Sequence, residues 1–208
     1  MALVKYNNNS ISAVTSAASM PSGALTHIKT LTASSSGTLS FVHGTDGVVL
    51  DNTYPIYIFK FINIHPATDN VIFQFNMSVD TGSNYNVAKT STYFYAYHGE
   101  DASEGSGLTY YTAGDLAQGT GSQPLSYSLG NGNDESLSGE LTIYNPSSTT
   151  FVKHFIANNN VYHKSNFSQE RFVAGYGNNT SAVDAIKFEM SSGNIDAGTI
   201  KLYGIKDS

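Results

Sequence analysis

An alternation of apolar and polar residues is the feature of this chain that most constrains its fold. In segment 71–79 apolar side chains occupy every second position, at Val71, Phe73, Phe75, Met77 and Val79, and Ile72 is the single exception to the alternation. Successive side chains of a strand point to opposite faces of a sheet, so this pattern predicts a β-strand with one buried face. Further strands are predicted at 38–42, 54–64, 92–97, 140–144, 151–156, 171–176, 185–190 and 199–205.

Clusters of turn-forming residues separate most of these stretches. Gly and Asn tolerate positive φ, Pro fixes φ, and Asn, Asp and Ser side chains hydrogen-bond to the nearby backbone, so these residues favour turns. Clusters of them lie at 80–83, 130–133, 145–148, 158–160, 177–179 and 191–194. Strands joined by turns predict an all-β fold, an antiparallel β-sandwich that is jelly-roll-like. The segment 54–64 is almost continuously apolar, which predicts a central strand covered on both faces.

The chain of 208 residues divides into an arm and one domain. Residues 1–24 are small and polar and show neither the two-residue alternation of a strand nor the 3.6-residue repeat of a helix. We interpret them as an extended N-terminal arm, with terminal disorder as the alternative. Residues 25–208 are expected to form a single β-sandwich domain. Within it, a Gly- and Ser-rich segment at about 98–133 predicts a long loop between strands, with one helical turn at 115–118.

A low content of charge limits the possible partners. Charged residues make up 12% of the chain, and Ser, Thr and Asn together contribute 65 residues, which excludes coiled coils and charge-rich disordered chains. The net charge is −6 without any Lys or Arg cluster, so we expect no nucleic-acid partner.

The longest apolar run is too short to span a membrane. The first residues lack the apolar core of a signal peptide, so we expect no membrane partner.

The sequence has no pattern typical of a hydrolase nucleophile or a metalloenzyme. It contains no Cys, no GxSxG, no HExxH and no P-loop, and its six His residues occur singly. Asp80 with Asn84 and Asn86 offers oxygen ligands for Ca²⁺, but a hairpin turn is the favoured interpretation. We therefore predict no catalytic residue, no metal site and no cofactor.

Two clusters of carboxylates deserve comparison with a glycosidase. They are Glu100, Asp101 and Glu104 in the long loop, and Asp134 with Glu135. A glycosidase holds two carboxylates at a fixed separation across a rigid cleft. Because both clusters lie in segments rich in Ser, Gly or Asn, we favour solvated acidic loops.

A row of tyrosines is the candidate binding surface. Tyr93, Tyr95 and Tyr97 alternate along one predicted strand, and Tyr110 and Tyr111 follow in the long loop. Tyrosine suits interfaces because one end of its side chain is apolar and the other is polar. We favour a subunit interface or internal packing over a platform that stacks on sugar rings.

Three segments carry a resemblance to a known family. They are IKTLTASSSGTLSFV at 28–42, the stretch at 54–86 with its FINIHPATD and DTGSNYN motifs, and the ending SSGNIDAGTIKLYGIK. Together they resemble a structural module of tailed-bacteriophage virions, common in phages of marine bacteria and cyanobacteria. The resemblance covers residues 25–206 and its motifs are structural, so it transfers no catalytic residue.

The resemblance implies a non-enzymatic virion structural protein that is assembled in the host cytoplasm. A capsid decoration (cement) protein is the first hypothesis, because the chain lacks the repetitive shaft of a free fibre. The alternative is a tail fibre or tail appendage that recognises host surface polysaccharide, and a depolymerase ranks third. The expected partners are copies of the chain itself, as a homotrimer, and the major capsid protein or another virion protein.

Overall fold

Two antiparallel sheets packed together make up the structure, a computed structural model that describes residues 25–206. Strand covers 55% of the chain and helix 3%, so the all-β β-sandwich predicted from the alternation is confirmed. The predicted arm, residues 1–24, lies outside the described residues. The strands are β1 (Leu25–Thr32), β2 (Thr38–Val42), β3 (Ile56–Pro66), β4 (Phe73–Ser78), β5 (Lys89–Gly99), β6 (Ser106–Tyr110), β7 (Gln123–Pro124), β8 (Leu137–Tyr144), β9 (Lys153–His163), β10 (Phe167–Gly177), β11 (Ala185–Met190) and β12 (Ile195–Ile205).

The order of the strands is that of a jelly roll with two inserted hairpins. One sheet contains β1-β12-β3-β8 and the other β2-β11-β4-β7. Numbered one to eight along the chain, these strands have the order 1-8-3-6 in one sheet and 2-7-4-5 in the other, which is the double Greek key of a jelly roll. The hairpins β5–β6 and β9–β10 continue the first sheet beyond β8 to eight strands, in the order β9-β10-β5-β6.

The core lies between the two sheets and is centred on the ring of Phe188. This ring lies within 6.4 Å, centroid to centroid, of five other phenyl rings. They belong to Phe41, Phe59, Phe61, Phe73 and Phe75. All six side chains are almost fully buried, and several pairs meet edge to face, the favoured geometry for aromatic rings.

The alternation in β4 predicted its buried face correctly. Phe73, Phe75 and Met77 are fully buried towards the core, and Asn76 on the opposite face is also covered. For β3 the prediction of two covered faces is wrong. Its burial alternates, and Ile62 is 41% exposed, because within residues 25–206 no layer packs on the outer face of the eight-stranded sheet.

Two local predictions are also wrong. The run 158–160 was expected to form a turn but lies in the middle of β9, where pairing with both β8 and β10 overrides the turn preference of Asn. The segment at about 98–133 is not one loop. It contains the end of β5, all of β6 and β7, and 3₁₀ turns at Ala102–Glu104 and Thr112–Gly114, so the helical turn lies just before the predicted 115–118.

Candidate functional site

The row of tyrosines on β5 points inwards, towards the side of the sheet that carries the core. Tyr93 is fully buried, whereas Tyr95 and Tyr97 are half-buried. Tyr111 packs against Tyr95 with ring centroids 5.8 Å apart. Tyr110 has the opposite orientation: its ring is 56% exposed on the outer face, and its hydroxyl donates to Asp115 at 2.6 Å. The structure therefore separates the five tyrosines, with four on the inner side and one on the outer.

Arg171 joins this inner tyrosine cluster and was missed in the sequence analysis. Its guanidinium carbon lies 4.2 Å from the centroid of the Tyr95 ring, a cation–π arrangement. Nη2 donates to the Tyr127 carbonyl at 3.3 Å and to the side-chain oxygen of Gln169. Arg171 is buried, and none of the ion pairs found within residues 25–206 involves it. The cluster thus extends the core beneath the inserted hairpins: Tyr93 belongs to the core, and Tyr95, Tyr111 and Tyr127 pack against it.

Lys89, at the start of β5, is a second buried cation. Its Nζ donates to Asn76 Oδ1 at 2.6 Å and to the Val87 carbonyl at 2.7 Å. Burial lowers the pKa of this amine to about 7. Met77 N–H also donates to Asn76 Oδ1, at 2.9 Å. These contacts fix the point where β5 leaves the jelly roll.

The outer face of the inserted hairpins carries a contiguous set of exposed apolar side chains, which we name the apolar band. Cross-strand pairing places Phe172 beside Phe94, and Phe94 beside Tyr110. The Phe94 and Phe172 rings are stacked, with centroids 4.9 Å apart. Exposed fractions are 51% for Ile156, 39% for Phe94 and 71% for Leu108. The band consists of Ile156, Phe172, Phe94, Leu108 and Tyr110.

The same face carries charged side chains where it crosses the jelly-roll strands. There the register aligns Lys201, Lys60 and Glu140 across β12, β3 and β8, and Lys60 forms an ion pair with Glu140. Exposed Ile62 on β3 lies on this part of the face, outside the apolar band. Because exposed apolar patches of this kind mark interaction surfaces, the apolar band is the candidate functional site.

A cleft of about 300 Å³ lies at one end of the band's strands. His98, Asn160, Tyr162 and Phe167 contribute to its walls, together with Glu100. The Tyr162 hydroxyl donates to Glu100 Oε2 at 3.0 Å, and this bond raises the pKa of Tyr162. The cleft offers hydrogen-bonding groups beside an aromatic ring, a combination that suits small polar ligands.

The other carboxylates singled out in the sequence have separate local roles. Asp101 accepts a hydrogen bond from the backbone N–H of Ser103, which lowers the pKa of Asp101. Asp134 and Glu135 line a different cleft, beside His65. Glu100 and Glu135 thus lie in different clefts, without the shared cleft that a glycosidase pair needs.

The Asp80 carboxylate is engaged within its own turn. It accepts hydrogen bonds from the side chain and the backbone N–H of Asn84, at 2.7 and 2.8 Å, and from Ser78, at 2.7 Å. These bonds lower its pKa. Within residues 25–206 no group of three or more His, Asp or Glu side chains could hold a metal ion.

Comparison of the chain with protein-family models, with curated proteins and with solved structures found no match. In the described part of the chain, no helix has both the length and the apolar character that a membrane span requires.

Proposed function

We propose that this chain is a non-enzymatic structural protein of a bacteriophage virion, and that it decorates the capsid as a cement protein. The observation that carries this proposal is the apolar band. Its five side chains expose on the order of 400 Å² of largely apolar surface, which is the size of the largest patch on a typical monomer, and such patches are often functional. Such a surface is costly in water and becomes favourable when another protein covers it.

Two further features support an assembly role. The motifs at 28–42, 54–86 and 191–206 resemble those of phage virion proteins, and they lie mainly on jelly-roll strands, whereas the apolar band lies on the inserted hairpins. The chain thus combines a common scaffold with a surface of its own. Cement proteins need a rigid scaffold of this kind and an attachment surface that the major capsid protein can cover.

A charge placed in the band is expected to abolish attachment to the particle. Ile156→Lys should reduce occupancy on purified phage particles at least about tenfold, because an ammonium would be buried at the interface without a partner. Ile62→Lys is the matched control, since Ile62 is also an exposed aliphatic residue on the outer face but lies outside the band. Occupancy is measured by quantitative mass spectrometry of repurified particles. Full occupancy by the Ile156 variant would rule out the band as the attachment surface.

A tail appendage that binds polysaccharide is the second candidate, and the cleft of about 300 Å³ that Glu100, Asn160 and Tyr162 line favours it. One experiment separates the candidates: the purified chain is incubated with host surface polysaccharide, and retention and release of reducing ends are measured. A decoration protein is expected to show neither. Retention that Asn160→Ala removes would favour the tail appendage. Release of reducing ends that Glu100→Gln removes would contradict a non-enzymatic role.

A further inference from the structure

We infer that two copies of this chain pair through the free edge of β6, antiparallel and about a two-fold axis at Leu108. This inference is independent of the proposed role on a phage particle. It rests on the backbone register of β6, on the composition of this strand and on the apolar band next to it.

The register shows which backbone groups of β6 have no partner among residues 25–206. The N–H of Tyr111 bonds to the carbonyl of Tyr93 at 2.9 Å, and the N–H of Gly99 bonds to the carbonyl of Gly105 at 2.9 Å. In an antiparallel ladder, residues that hydrogen-bond to one neighbouring strand alternate with residues whose N–H and C=O groups point away from it. The odd-numbered residues of β6 therefore bond to β5, and the backbone groups of the even-numbered ones point away. Ser106, Leu108 and Tyr110 therefore direct their N–H and C=O groups outwards, at the end of the eight-stranded sheet.

This edge lacks the features by which proteins prevent edge pairing. Charged side chains, prolines, bulges and very short strands are the usual ones. The opposite edge, β1, has Lys29 and a bulge beside it, and β7 has two residues and contains Pro124. The edge strand β2 is uncharged but turns Leu39 and Phe41 into the core. β6 contains no charge and no proline, and its apolar side chains are exposed.

The free groups of β6 are complementary to themselves. When a second copy is placed antiparallel with its Leu108 opposite Leu108, Ser106 of each copy faces Tyr110 of the other. All outward N–H groups then meet outward C=O groups, because every pair joins two even-numbered positions. An interface that uses the same residues on both sides closes after two copies, which is the commonest symmetry of soluble oligomers.

The same placement extends the apolar band across the axis. Leu108 and Tyr110 of the two copies become neighbours on the outer face, and each band continues into the other. β6 itself is uncharged, so no like charges lie directly opposite each other in the paired strands. Edge-to-edge pairing buries the backbone edge of β6 and the facing sides of Leu108 and Tyr110, and it leaves the rest of each band exposed on the outer face of the continued sheet.

The oligomeric state of the full chain tests this inference. Sedimentation velocity at tens of micromolar, at least roughly ten-thousandfold above a nanomolar dissociation constant, is expected to give the mass of two copies. Leu108→Lys should give the mass of one, because two ammonium groups would face each other at the axis. Ile62→Lys is the control and should remain a dimer. A single copy for the unmodified chain, the three copies expected from the virion resemblance, or a dimeric Leu108→Lys variant would each overturn the inference.

A cysteine at the axis provides a second test that does not depend on the folding of the Leu108→Lys variant. The chain contains no Cys, so any disulfide in Leu108→Cys must join two copies. Directly opposed residues in an antiparallel pair have Cα atoms about 5.5 Å apart, which is within the range that a disulfide spans. Mild oxidation should give a covalent dimer of Leu108→Cys and leave Ile62→Cys monomeric on a non-reducing gel. Equal cross-linking of both variants, or none of Leu108→Cys, would contradict the pairing.

Discussion

Replacing Phe188 by Ala is expected to lower the free energy of unfolding by about 3–5 kcal/mol. Phe188 is fully buried and its ring contacts five other phenyl rings from both sheets. Its removal leaves a cavity where the two sheets meet, and the surrounding strands are held by hydrogen bonds that prevent collapse. Equilibrium unfolding in urea measures the loss.

Phe151→Ala is the matched control for this prediction. Phe151 is 69% exposed, so the same change of residue type is expected to alter the free energy of unfolding by less than about 0.5 kcal/mol. A loss of less than about 1 kcal/mol for Phe188→Ala would mean that the core is not packed around this ring.

Lys89→Met is expected to remove a pH dependence of stability worth about 3 kcal/mol between pH 7 and pH 9.5. Burial lowers the pKa of Lys89 to about 7 in the folded chain, whereas an unfolded lysine has a pKa of about 10.4. Between these two values the unfolded chain binds more protons, so the stability contributed by this residue rises with pH. Below about pH 7 both states are protonated and the contribution is constant.

The measurement is the free energy of unfolding of both proteins at pH 7 and pH 9.5. The unmodified chain should gain about 3 kcal/mol relative to Lys89→Met over this interval. Burial also lowers the pKa of Lys153, but this residue is present in both proteins and cancels in the difference. Lys164→Met, at an exposed position, is the control and should follow the unmodified chain. Parallel curves for Lys89→Met and the unmodified chain would contradict the assignment.

The alternation of residue types predicted local structure well because it depends only on neighbours along the chain. It identified the buried face of β4 and the shared face of Tyr93, Tyr95 and Tyr97. It could not show which hairpins lie outside the jelly roll, because strand order depends on pairing between distant segments such as β5 and β10. Consequently the sequence placed Tyr93, Tyr95 and Tyr97 on one face of their strand, but it did not predict that Tyr111, Tyr127 and Arg171 would pack against that face.

The buried cations could have been found by the same alternation. Lys89 lies on the same face of β5 as Tyr93, and Arg171 shares a face of β10 with Val173. A single charge on an otherwise apolar face is a signal of burial with polar partners. The apolar band was harder to recognise. Phe94, Phe172 and Ile156 lie on three strands, and their proximity follows from the register alone.

The pairing of the two inserted hairpins implies an order in which they can join the sheet. β9 is bonded to the jelly-roll strand β8, so the β9–β10 hairpin extends that sheet directly. β5 pairs in the sheet only with β10 and β6, and therefore has no place in the sheet until β10 is present. The outer surface that Phe94 and Tyr110 form beside Phe172 is therefore complete only after both hairpins have paired.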